Sequence, residues 1–132
     1  MFLAEMKDNQ KEAFMTLAYA LISADGILDE KEDLMMMQYK LEMSLPFSYK
    51  ESEGEVDNAV ELFLQESDSL KKKIIFELVA LAYTDGNYVE KERLLIEKLQ
   101  TNWGIAVDFA KKCEPYILEL TKLYEKIGKF VG

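Results

Sequence analysis

The sequence predicts an all-α fold, a helical bundle of six or seven helices, and three observations carry that expectation. Apolar residues recur at helical spacing through most of the 132 residues, and no stretch alternates with period two between turns. A helix-loop-helix pattern also occurs twice, as LISADGILDEKE at residues 21–32 and LAYTDGNYVEKE at residues 81–92. Both copies keep Asp-Gly and then Glu-Lys-Glu. The chain is expected to form one domain over residues 1–132, with repeat one at about 8–42 and repeat two at about 69–103.

The first helix is expected over residues 8–24, where Phe14, Leu17, Ala18, Leu21 and Ile22 fall on one helical face. Asp25-Gly26 ends it, because glycine enters a left-handed conformation without a Cβ penalty. Asp29 stands three residues before Glu32 in an N-cap pattern, so a second helix should run over residues 30–42. Leu34, Met37 and Leu41 are expected to face inward, and Met35, Met36, Met37 and Met43 to fill irregular gaps in the core. Pro46, two serines and Gly54 mark residues 45–54 as the longest connection.

A third helix is expected over residues 55–65, with Val56, Ala59, Val60, Phe63 and Leu64 as its stripe. Ser67 or Ser69 can cap the fourth, which runs to about residue 83 and is apolar over more than half its circumference, which places it at the centre. Asp85-Gly86 ends that helix, and a fifth follows over residues 89–103, carrying Leu95, Ile96 and Leu99 and stopped by Gly104. Asp108 opens the last helical stretch. There Pro115 should kink or split the helix near Cys113, and Ile117, Leu120, Tyr124 and Ile127 should pack on the bundle.

Composition narrows the function. The net charge of −9 argues against a nucleic-acid partner, since phosphate binding depends on Lys and Arg releasing counterions. The basic run Lys71, Lys72 and Lys73 reads as a solvated face. There is no histidine and one cysteine, Cys113. Ser-His and Cys-His nucleophiles, CxxC pairs and an internal disulfide are therefore excluded. No run of 18 apolar residues and no leader-like start is present, so direct membrane insertion is not expected, and the expected location is the cytoplasm. With no activated nucleophile in the sequence, the expectation is that the protein is not an enzyme.

The acids of the repeat, Asp25, Glu30 and Glu32 in copy one and Asp85, Glu90 and Glu92 in copy two, have two readings. They can be helix caps, which accounts for copy one fully and for copy two less well, because Val89 stands where Asp29 does and has no acceptor. They can instead be metal ligands. Clustered carboxylates repel one another unless a cation bridges them, and a hard oxygen set suits Ca²⁺, Mg²⁺ or Mn²⁺. The spacing from Gly to Glu matches the back half of an EF-hand loop, but Leu21, Ser23, Leu81 and Tyr83 stand where its first ligands belong. Neither loop can enclose an ion alone, so the expected metal site is shared by Asp25, Glu32, Asp85 and Glu92.

Ala24-Asp25-Gly26 with Glu32, and Thr84-Asp85-Gly86 with Glu92, resemble the doubled motif of the tellurite resistance TerB-like family. The resemblance covers about residues 14–99, and Thr84 and Val89 depart from the motif. It implies a helical bundle with internal pseudo-symmetry, an acidic site for divalent metal, and a part in bacterial stress responses, often beside a membrane-embedded partner protein. The alternative is a metal-free adaptor that docks a protein partner through the Met-rich second helix or the C-terminal helix.

Overall fold

The computed structural model describes residues 1–24, 30–46, 55–84 and 88–132. Among these the chain is all-helical, with α1 (Asp8–Ile22), α2 (Glu30–Glu42), α3 (Val56–Leu62), α4 (Asp68–Ala82), α5 (Glu90–Trp103) and α6 (Phe109–Val131). All six helices send side chains into one buried apolar cluster, and Leu3 and Met6 join it from the segment before α1. The predicted faces of α1 and α4 are the buried ones: Phe14, Leu17, Ala18, Leu21 and Ile22 on one, Ile74, Ile75, Leu78, Val79, Leu81 and Ala82 on the other. These two helices pack against each other, α1 also meets α2, α3 and α5, and α4 also meets α5 and α6.

The two repeats agree residue for residue over long stretches. The bounds of α4 are those of α1 shifted by sixty. Residues 30–41 and 90–101 share one sequence of buried, half-buried and exposed positions. The helix ends match as well. Leu45 N–H donates to the Lys40 carbonyl at 2.8 Å, and Ile105 N–H donates to that of Gln100 at 3.0 Å. Each closure passes through a left-handed residue, Ser44 at φ 57° and Gly104 at φ 67°. Only the second has the residue type that adopts this conformation freely.

Local chemistry sets the other boundaries. Ser67 Oγ accepts from Leu70 N–H at 3.2 Å and starts α4, as Ser67 was expected to. Lys71 is not part of a solvated face. It is buried, and its ammonium donates to the Leu64 carbonyl at 2.9 Å, while Lys72 lies over the Phe109 ring and Lys73 over that of Phe2. The buried Trp103 indole donates to the Val60 carbonyl at 2.9 Å and meets Phe63 edge to face, which ties α5 to the α3 region.

Other expectations fail in whole or in part, and Leu64, expected in the α3 stripe, is exposed. Leu34, Met37 and Leu41 point outward, at 58%, 47% and 60% exposure, whereas Met36, Tyr39 and Met43 enter the core. Both triplets have i, i+3, i+7 spacing and both are apolar, so periodicity alone could not choose between them. Of the kink or split expected at Pro115, the split does not occur: α6 is one helix of 23 residues with Pro115 inside it. Pro115 and Lys111 are both exposed, so the Lys111 carbonyl that loses its donor can turn to water. The tail of α6 does not pack along its length. Ile117 is buried and Leu120 half-buried, but every residue from 121 onward is exposed, including Tyr124 and Ile127.

Candidate functional site

The first turns of α2 and α5 place Glu32 and Glu92 at equivalent positions, and both side chains are buried, at 4% and 5% exposure. Asp25 and Asp85, with Gly26 and Gly86, lie outside the described residues. The expected meeting of four acids therefore has two described members. Among the described residues, no group of three or more Asp, Glu, Cys or His side chains is close enough to hold a metal ion.

The second junction shows what Glu92 does. Val89 takes the extended N-cap backbone without a side-chain cap, and Glu92 Oε1 reaches back to accept from Val89 N–H at 3.0 Å. The reciprocal half of a capping box is thus present without its first half. Beside it, the Tyr88 and Tyr83 rings meet at 5.2 Å with a 54° tilt, the Arg93 guanidinium lies 4.2 Å from the Tyr88 ring centre, and Arg93 pairs with Glu114 at 3.9 Å. Burial, then the hydrogen bond and charge of Glu114, raise the Tyr83 phenol above its ordinary value and keep it neutral. The first junction has Ser23 and Asp33 where the second has Tyr83 and Arg93. The second junction thus carries a cation paired with Glu114 and the first a further acid.

A carboxylate pair that the sequence did not announce is fully engaged. Glu42 and Glu77 grip the start of the chain: the Met1 ammonium contacts Glu42 at 2.6 Å and Glu77 at 2.8 Å. Phe2 N–H donates to Glu77 at 2.8 Å and Leu3 N–H to Glu42 at 2.7 Å. Burial alone would lower the ammonium pKa, but the hydrogen bonds and charges of the two glutamates outweigh it and raise it. The buried Tyr39 hydroxyl donates to the Glu77 backbone carbonyl at 3.3 Å, and burial, reinforced by the two carboxylates, pushes its pKa well up. A signal for one half of this clamp did exist: Glu77 is the one charged residue between Ile74 and Ala82 of α4.

Next to the clamp lies a groove of about 510 Å³ between α2, α4 and α6, walled by Met35, Tyr39, Ala80, Tyr83, Ile117 and Leu120. No helix among the described residues is long and apolar enough to cross a membrane. The chain matches no protein-family profile, no curated protein and no solved structure.

Proposed function

We propose that this protein is a non-enzymatic interaction module that binds a protein partner through the outward face of α2. One comparison supports this reading. The α2 and α5 helices bury the same positions, yet the exposed apolar residues of α2 are Leu34, Met37 and Leu41, where α5 has Leu94, Glu97 and Thr101. The fold does not require apolar residues at 37 and 41, since α5 carries polar ones at the equivalent positions. Two of these three are long apolar side chains at sites that α5 fills with polar ones, and contiguous exposed apolar surface marks a contact site. The test is a partner captured by the wild-type chain, purified, and its binding reconstituted. Met37→Glu with Leu41→Thr, which gives α2 the residues of α5, is expected to weaken binding at least about tenfold. Unchanged affinity would sink the reading.

A second reading rests on Glu32 and Glu92 standing at equivalent junctions, the positions that the doubled acidic motif would use as ligands. It is a TerB-like module of a bacterial stress response that binds Ca²⁺, Mg²⁺ or Mn²⁺ through Asp25, Glu32, Asp85 and Glu92, beside a membrane-embedded partner protein. An ion held only by the native state at a hundred times its Kd adds about 2.7 kcal/mol, so the Tm should rise on adding metal and Glu32→Gln should abolish the rise. No change in Tm with any of the three ions at millimolar concentration would eliminate it.

A further inference from the structure

From residue 116 onward α6 carries an apolar seam that the rest of the fold covers only at Ile117 and, in part, at Leu120. Ile117, Leu120, Tyr124, Ile127 and Val131 follow the alternating three- and four-residue spacing of a coiled-coil core, flanked on one side by Tyr116, Leu123 and Phe130 and on the other by the small Thr121 and Gly128. All five charges of this stretch, Glu119, Lys122, Glu125, Lys126 and Lys129, fall on the opposite face. The seam begins in the wall of the groove at Ile117, Leu120 and Tyr124 and runs out into solvent without interruption. Tyr124 is 65% exposed, Phe130 88% and Val131 74%.

We infer that this seam is a dimerisation surface whose occupant is the α6 helix of a second copy of the chain, laid antiparallel so that its tail lies along the groove between α2, α4 and α6. Area supports a copy-sized partner. The exposed parts of Tyr116, Tyr124 and Phe130 present on the order of 400 Å². That is about half of the ~800 Å² per partner in a specific interface. Leu123, Ile127, Val131 and the groove wall supply further apolar area.

Charge selects the antiparallel arrangement. Of the net −9, the tail from residue 116 contributes +1, from three lysines against two glutamates, so the remainder carries −10. A parallel pairing would bring two such bodies to the same end of the seam. The antiparallel pairing holds them at opposite ends and draws each slightly basic tail along the other acidic body. A two-fold axis near Tyr124 sets Ile127 of one copy against the half-buried Leu120 of the other and brings Val131 to the groove, which closes the assembly at two copies.

Sedimentation of the full chain up to ~100 μM should give twice the 15.3 kDa chain mass. Tyr124→Glu with Ile127→Glu should return it to 15.3 kDa with unchanged helical circular dichroism. Because those residues are already exposed, their replacement leaves the core intact. Under oxidation, Tyr124→Cys on the axis should give a covalent dimer. Phe130→Cys should not, because its antiparallel mate lies ~18 Å away along the helix. The buried Cys113 makes the wild-type chain the uncrosslinked control. A wild-type chain of monomer mass throughout this range overturns the proposal, as does a monomer that instead binds anionic phosphatidylserine vesicles. Crosslinking by Phe130→Cys as readily as by Tyr124→Cys overturns the antiparallel arrangement. Met37→Glu with Leu41→Thr lies off the groove and should leave the mass unchanged, so this surface and the partner face of α2 fail or stand separately.

Discussion

The α2 and α5 helices occupy equivalent places in their repeats and bury the same positions, but only their inward residues are under the same constraint. Inward, Met36 pairs with Ile96, Tyr39 with Leu99 and Met43 with Trp103, all large and all in the core. Outward, Leu34 pairs with Leu94, but Met37 and Leu41 face Glu97 and Thr101. Packing fixes side-chain size and polarity on one face of each helix and leaves the other free to follow function. An apolar residue is informative where its repeat partner shows that the fold could do without it.

The strongest way to break the comparison is through its core pair. Trp103→Ala should cost ~3 to 5 kcal/mol, through a large cavity and the loss of the Val60 hydrogen bond. Met43→Ala should fall at the low end of the ~2 to 5 kcal/mol range for such truncations, since no hydrogen bond is lost with it. Urea melts of the two variants compare them directly, and equal losses would mean that the repeats are less alike in packing than in burial.

The clamp on the chain start lies where the repeats diverge, since Glu77 answers to the buried Leu17 and Glu42 to Asn102. Glu77→Gln should cost ~1.5 to 3 kcal/mol, the range for hydrogen bonds to a charged group. The Met1 ammonium pKa is raised on folding, so its contribution is complete below the ordinary value of 8.0 and is lost as pH rises through the raised value. Denaturation between pH 7 and 10 should therefore show stability falling with pH in the wild type, with a shallower slope in the variant. The same slope in both would remove Glu77 from the clamp.

The helix ends sharpen the comparison at lower energy. Ser44 holds a left-handed conformation that Gly104 holds without strain, so Ser44→Gly should stabilise and Gly104→Ser should destabilise, each by ~1 kcal/mol. Thermal melts shifting in the same direction for both would contradict the matched helix ends. The smallest effect belongs to the outward face. Met37→Glu with Leu41→Thr should move stability by less than ~0.5 kcal/mol, although it is expected to remove partner binding.

The helices were legible wherever one apolar stripe dominated, as in α1 and α4. The phase of α2 was not, because its methionines and leucines make two stripes of equal quality. The second repeat held the answer: the partners of Leu34, Met37 and Leu41 include Glu97 and Thr101, whereas those of Met36, Tyr39 and Met43 are all large and apolar. The tail of α6 was misjudged because amphipathic spacing says that a face needs a cover without saying that the cover belongs to the same chain. Of the four predicted ligands, Glu32 and Glu92 are buried at matching junctions; the repeat announced the match but not the burial. The clamp by Glu42 and Glu77 depends on contacts some forty and seventy-five residues apart, which local patterns do not encode.

Trp103 is the single tryptophan of the chain, and its indole joins α5 of the second repeat to the carbonyl of Val60 beyond the first. Its ultraviolet emission is therefore a built-in optical readout of whether α5 is docked on α3. A shift of that emission to longer wavelength would report their separation in the unlabelled protein, and a shift preceding the loss of helical signal would identify this docking as the weaker step.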